Sequence, residues 1–191
     1  MNNRNILEMI YKYYPLATEK SGLEKVKMRM DKIQEKMIYI NDLINEIITI
    51  ARDYEVVDWT DAEACCYEFK ILLHKYTPIL DDDKTLIKQL NGERNDLRIF
   101  ISVLEPCYYM FEEKTSYCES EDRWEFRTEE SNVKEIRELK EEIKTYLREN
   151  GYIELSHSDV LMPVPKVETS YKEAGRANVF DCLFTDLVCV D

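Results

Sequence analysis

Leu97-Arg98-Ile99-Phe100-Ile101-Ser102-Val103-Leu104 opens the clearest run of strand texture in the chain. Leu97, Ile99 and Ile101 alternate with Arg98, Phe100 and Ser102, a period of two that puts successive side chains on opposite faces. Downstream, Cys107 to Phe111 is rich in aromatics, and Tyr117, Trp124 and Phe126 alternate with charges. Breaks fall at Glu105-Pro106, at Lys114 to Ser116 and at Glu119 to Asp122, and 97–127 reads as an antiparallel meander of three strands. Its alternation implies one buried face and one wet face.

Helices flank this run on both sides. Upstream, Asn91-Gly92 is a turn and Thr85 to Leu90 a short helix. Asp81 to Asp83 reads as a solvated helix N-terminus, because no Gly or distal Glu completes a calcium loop. Ala62 to Tyr76 is predicted as a helix, with Cys65, Phe69, Leu72, Leu73 and Tyr76 on one face; a strand pair is the alternative. From about 21 to 53 a longer helix is predicted, roughly 48 Å long. Ser21 and Glu24 match a capping box, and Leu23, Val26, Met30, Ile33, Met37, Ile40, Ile44 and Ile47 recur at steps of three and four. Ile38, Leu43, Ile48 and Ile50 widen that stripe beyond a two-chain seam, which favours packing within the domain over a coiled coil. A first helix over 4–14 ends at Pro15.

On the C-terminal side, 129–149 reads as an amphipathic helix with Val133, Ile136, Leu139, Ile143, Tyr146 and Leu147 along one side. Gly151 stands where a C′ glycine belongs. Pro163 and Pro165 make Leu161 to Lys166 extended. Asn178 to Val190 is predicted as a terminal strand or strand pair. The expectation is one α+β domain over 1–191: a helical part at 1–55, including the long amphipathic helix, and a mixed part at 56–191. The helices pack on an antiparallel sheet that the C-terminal strand completes.

Composition narrows the function classes. The 191 residues carry 26 Lys plus Arg against 39 Asp plus Glu, a net charge of −13. Residues 1–104, 105–149 and 150–191 sum to −3, −6 and −4, so no segment is basic. Nucleic acid and anionic lipid each need a basic face, so direct binding to either is not expected. Glycines occur only at 22, 92, 151 and 175, too scattered for a phosphate-cradling loop. No apolar run approaches the roughly 20 residues that span a bilayer, and the N-terminus has no signal pattern. Cys65, Cys66, Cys107, Cys118, Cys182 and Cys189 contain no C-x-x-C, so they read as reduced thiols of a cytoplasmic protein. A zinc site with His74 or His157 matches no common ligand spacing.

Catalytic patterns are equally sparse. His74 lies in an apolar run and reads as a core histidine. Ser156-His157-Ser158-Asp159 resembles a catalytic cluster, yet Ser and Asp in that order are capping residues. Glu112 and Glu113 with Lys114, or Glu125 with Arg127, are the clusters of acid and base that a magnesium-dependent nuclease would use, but no basic channel accompanies them. The chain is therefore expected not to be an enzyme and to need no cofactor.

An acidic surface steers a basic partner into a complex. Acid density peaks from Glu105 to Glu149, interleaved with Tyr108, Tyr109, Tyr117 and Trp124. Glu112, Glu113, Tyr117, Glu119, Glu121, Asp122 and Trp124 are the predicted partner-binding residues, with aromatics as anchors and acids for orientation.

Ile10-Tyr11-Lys12-Tyr13-Tyr14-Pro15 resembles the opening of some small bacterial immunity proteins of polymorphic-toxin and contact-dependent growth inhibition systems. The end of the chain is similar to them too: Gly151-Tyr152-Ile153-Glu154-Leu155, then Val164-Pro165 and Glu168-Thr169, then Asn178 to Asp186. The resemblance implies a non-enzymatic inhibitor that binds one cognate toxin domain, and it transfers no residue list. Two other readings remain open on the sequence. One is an acidic decoy or adaptor that occupies a nucleic-acid-binding protein. The other is a homodimeric structural protein joined along the 21–53 helix.

Overall fold

The computed structural model describes residues 3–16, 22–75 and 84–188. Ser21 of the expected capping box, Tyr76, Asp81 to Asp83 and Val190 lie outside the described residues, as do the side chains of Met37 and Ile40.

The architecture is α+β: helices packed on a six-stranded, mainly antiparallel sheet. Helices α1 (Asn3–Tyr11) and α2 (Leu23–Ile50) come first, then strands β1 (Glu55–Asp58) and β2 (Cys66–Leu72). A short helix α3 (Lys84–Gln89) leads into β3 (Glu93–Ser102), β4 (Cys107–Cys118) and β5 (Arg123–Thr128). Then follow α4 (Lys134–Glu149), β6 (Ile153–Glu154), α5 (His157–Val160) and α6 (Val179–Leu183). The strands run in the order β1-β2-β3-β4-β5, each antiparallel to its neighbour. On the outer edge of β4, β5 pairs with its C-terminal half and β6 pairs in parallel with Cys107 and Tyr108.

The meander read from the sequence is present as β3, β4 and β5. The expected break at Lys114 to Ser116 is absent: β4 runs through it, with Lys114 opposite Asn95 on one side and Arg127 on the other. The Asn91-Gly92 turn has both residues at positive φ, 61° and 97°. Gly151, at φ 84°, ends α4 in the left-handed region that other residues enter only with strain.

Two expected elements are absent. The described part of 62–76, residues 62–75, is not a helix: Cys66 to Leu72 form β2, antiparallel to both β1 and β3. Tyr67, Phe69 and Ile71 face one side of the sheet and Glu68 and Lys70 the other, and every residue of the strand is buried. Among its described residues, 178–188, the C-terminal segment forms no strand either. Asn178 accepts from the Asp181 amide while the Asp181 carboxylate accepts from the Asn178 amide, and this reciprocal cap starts α6. The sheet is finished by β6 instead.

Each face of the sheet has its own core. On one face, Phe69, Ile71, Leu97, Ile99, Ile101 and Tyr108 pack against Ile47 and Ala51 at the end of α2 and Leu139, Ile143 and Leu147 of α4. On the other, Cys66, Phe100, Tyr109 and Phe111 pack against α1, α5 and α6 through Ile6, Ile10, Val160, Phe180, Leu183 and Phe184. α2 serves both cores, with Ile33 in the second and Ile47 in the first. Its apolar stripe is not buried continuously: Leu23 is 84% and Met30 44% exposed. Between these ends, the Lys36 ammonium is buried and donates to the carbonyls of Asp61 and Ala64 at 2.5 and 2.6 Å, fastening α2 to the β1–β2 connection. No helix among the described residues is long and apolar enough to cross a membrane.

Candidate functional site

The seven predicted partner-binding residues fall into two groups. Glu112 and Glu113 are 2% and 7% exposed and do not belong to an outer patch. As consecutive residues of a strand they project to opposite faces. Glu112 accepts from Lys140 Nζ of α4 and from the Ser131 amide, both at 2.8 Å. Glu113 accepts from Arg98 Nη1 at 2.8 Å on the other face. The same alternation rules out Glu112 and Glu113 as joint ligands of one metal ion. Glu125 is held between Arg123 and Arg127 at 2.7 and 2.6 Å.

The remaining five gather at the β4–β5 hairpin. The Tyr117 and Trp124 rings lie 4.9 Å apart on paired residues. The Tyr117 hydroxyl donates to Asp122, and Lys84 Nζ reaches the same carboxylate at 2.7 Å. Glu119 pairs with Lys88 at 2.7 Å and Glu121 with Arg123 at 3.1 Å. Hydrogen bonds from these cations hold the Glu119 and Asp122 carboxyls below their usual range. Every acid of the hairpin is thus already matched by a base of the same chain, and the patch projects little net field.

A second acidic surface lies between α2 and α4. There an open groove of about 610 Å³ is lined by Glu46, Ile50, Glu138, Glu141, Glu142, Thr145, Tyr146 and Glu149. The 3.6-residue helical period puts Glu138, Glu142 and Glu149 on one side of α4, beside Tyr146. Lys134 pairs with Glu138 at 3.2 Å, and Lys144 is drawn to Glu154 at 2.9 Å, leaving Glu141 at 3.9 Å. Glu46, Glu142 and Glu149 have no basic partner among the described residues. Burial raises the Tyr146 phenol above its ordinary pKa, and the nearby Glu46 charge adds to the effect. The floor of Ile50 and Tyr146 is apolar and its rim is acidic. Linear acid density pointed at β4 and the hairpin, and missed this groove because Glu46 belongs to a different helix.

A third feature is a cluster of buried charges on one face of the sheet. Beyond Phe100 and Phe111, the strands carry Glu68, Lys70, Arg94, Asp96, Arg98 and Glu113 on one face. Lys70 stands directly opposite Arg98. That like-charge pairing is offset by carboxylates: Arg98 bonds Glu68 and Glu113, Arg94 Nε bonds Asp96 at 2.9 Å, and Lys70 lies 3.7 Å from Asp96 and 3.8 Å from Glu113. Burial pushes the Glu68 and Asp96 carboxyls up. Burial also opposes the Arg98 charge, but Glu113 and Glu68 outweigh it and raise that group.

Four of the five described cysteines are buried, and Cys118 is half-buried. Cys65, Cys66, Cys107, Cys118 and Cys182 are free thiols. Burial raises Cys65, Cys66 and Cys182, and pushes Cys107 up to about 12, away from the reactive thiolate. Among the described residues, no three His, Cys, Asp or Glu side chains cluster as metal ligands. Ser156 and Asp159 form the capping box of α5, and His157 Nδ1 lies 2.9 Å from the Tyr109 hydroxyl. Compared with protein-family models, curated proteins and solved structures, the chain matches none.

Proposed function

We propose that the chain is a cytoplasmic, non-catalytic immunity protein that binds a basic toxin domain and neutralises it. The observation that carries this reading is the α2–α4 groove: three glutamates with no basic partner among the described residues stand around an apolar, aromatic floor. Unmatched acids at the rim raise the association rate of a basic partner, by about 10- to 1,000-fold in steered complexes. Ile50 and Tyr146 supply the area that a partner's side chain buries. The hairpin offers aromatics as well, but its acids are spent on Lys84, Lys88 and Arg123.

The test is affinity capture from the source lysate at low and moderate salt, with three baits: the wild-type chain, E46K/E142K/E149K and E119K/E121K/D122K. The expected result is one basic protein, weakened by salt, held by wild type and by the hairpin variant and lost by the groove variant. Co-expression with that protein should then protect cells only when the groove is intact. Loss by the hairpin variant alone moves the interface to β4–β5. A partner that ignores both charge and salt overturns the steering argument.

One observation favours a second reading, a homodimer along α2: Leu23, Met28, Met30 and Ile38 are exposed apolar residues on that helix. Light scattering of the purified chain distinguishes a monomer from a dimer, and M30K with I38K should dissociate a dimer of this kind.

A further inference from the structure

The charged half of the sheet is also a cavity. Trp59, Trp124, Phe126 and Val188 wall a space of about 330 Å³ over Lys70, Arg98 and Thr115. Small-molecule sites begin at roughly this size, about 300 Å³, and combine apolar walls with a few placed polar groups. The Arg98 guanidinium rests over the Phe100 and Phe111 rings, 5.1 and 5.9 Å from their centroids, which fixes its plane. Lys70 Nζ sits 4.9 Å from the Trp59 centroid.

Buried polar atoms on residues that line this space lack a hydrogen-bond partner among the described residues. Among them are Thr115 Oγ1, on a residue only 2% exposed, and Arg98 Nε. Buried polar atoms are nearly always bonded, so such a pair calls for a cause. A guanidinium Nε–H only donates, and a threonine hydroxyl is free to donate. The missing partner is therefore an acceptor, and three cations line the cavity, Lys70, Arg94 and Arg98, against two carboxylates, Glu68 and Glu113, which favours a negatively charged one. The carboxylates that line the cavity, Glu68 and Glu113, are already engaged by Arg98.

We propose that this cavity binds a small planar organic anion, its ring among Trp59, Trp124 and Phe126 and its anionic oxygens on Arg98 and Thr115. Carboxylate and phosphate share this chemistry. The site is separate from the α2–α4 groove, so either proposal can fail without the other.

The chain has two tryptophans, Trp59 and Trp124, and both line the cavity. Tryptophan emission of the full chain therefore reports on this site directly. Benzoate and phenyl phosphate are titrated in, with benzamide and benzyl alcohol as neutral rings and acetate and inorganic phosphate as anions without a ring. A saturable emission change is expected for benzoate or phenyl phosphate, at concentrations at least about tenfold below those of the neutral rings and the ringless anions. The tighter of the two identifies the anionic group. T115V should raise the half-saturating concentration about tenfold, the effect of one lost charge-assisted hydrogen bond. Its thermal midpoint should equal or exceed that of wild type, because an unpartnered buried hydroxyl has been removed. The proposal is overturned if neither anion saturates by ~10 mM, a weaker affinity than specific sites show. It is also overturned if neutral rings bind as well, or if T115V titrates like wild type.

Discussion

Truncating Glu112 to alanine should lower folding stability by about 3–5 kcal/mol, the range for breaking a buried ion pair from one side. The structure supplies the terms. The Glu112 side chain is 2% exposed and the Lys140 side chain 10%, with 2.8 Å between Oε1 and Nζ. At that separation, with an effective dielectric near 20, the attraction is about 6 kcal/mol, and desolvation of both ions offsets much of it. Removing the carboxylate alone leaves the desolvation of Lys140 in place. Its other partner, Glu130, is 75% exposed and is a weak substitute. The Ser131 amide loses its acceptor as well. Urea denaturation followed by circular dichroism measures the loss, for E112A, K140M and E112L/K140M. The double variant should recover most of the stability, because an apolar pair of similar volume removes both buried charges. An exposed interface acid would cost under about 1 kcal/mol on truncation. A loss that small for E112A, or a double variant as unstable as the single one, would refute the placement of Glu112 in the interior.

Two further outcomes follow from buried charge. Burial, the dominant cause, lifts the Glu68 carboxyl above its ordinary 4.5. A carboxyl raised in the folded state binds more protons there than in the unfolded chain, so its contribution is present at low pH and is lost as pH rises past that value. E68Q should therefore gain stability relative to wild type as pH rises past 4.5, and urea midpoints that run parallel above that pH would contradict the assignment. K36M should lose about 2–4 kcal/mol, since a buried acceptor without a donor costs about 1–3 kcal/mol and the Asp61 carbonyl is partly solvated. A change below about 0.5 kcal/mol, the scale of an ordinary surface substitution, would mean that the ammonium does not fasten α2 to the β1–β2 connection.

Much of the fold was legible because local periods report local structure. The alternation of Leu97, Ile99 and Ile101 marked β3, and the spacing of Ile136, Leu139, Ile143 and Leu147 marked α4 with its glycine stop. Reading failed where two periods fit equally well. In 65–73, Phe69 belongs both to a helical face with Cys65, Leu72 and Leu73 and to a strand face with Tyr67 and Ile71; pairing with β1 and β3 selected the strand. At the C-terminus, the apolar density of Val179 to Leu183 suggested a strand, while the Asn178–Asp181 cap, itself present in the sequence, set a helix.

The candidate surfaces were much less legible. Lys70, Asp96 and Glu113 come from three strands, and Glu46 and Glu149 from two helices. Composition alone fixed the excess of acids, and periodicity fixed which segments turn as helices or extend as strands, because both depend on neighbours along the chain. Which acids are buried, which are matched by a base and which stand unmatched around an apolar floor was decided by the tertiary structure. Desolvation and ion pairing act between side chains brought within a few ångströms, whatever their separation in sequence.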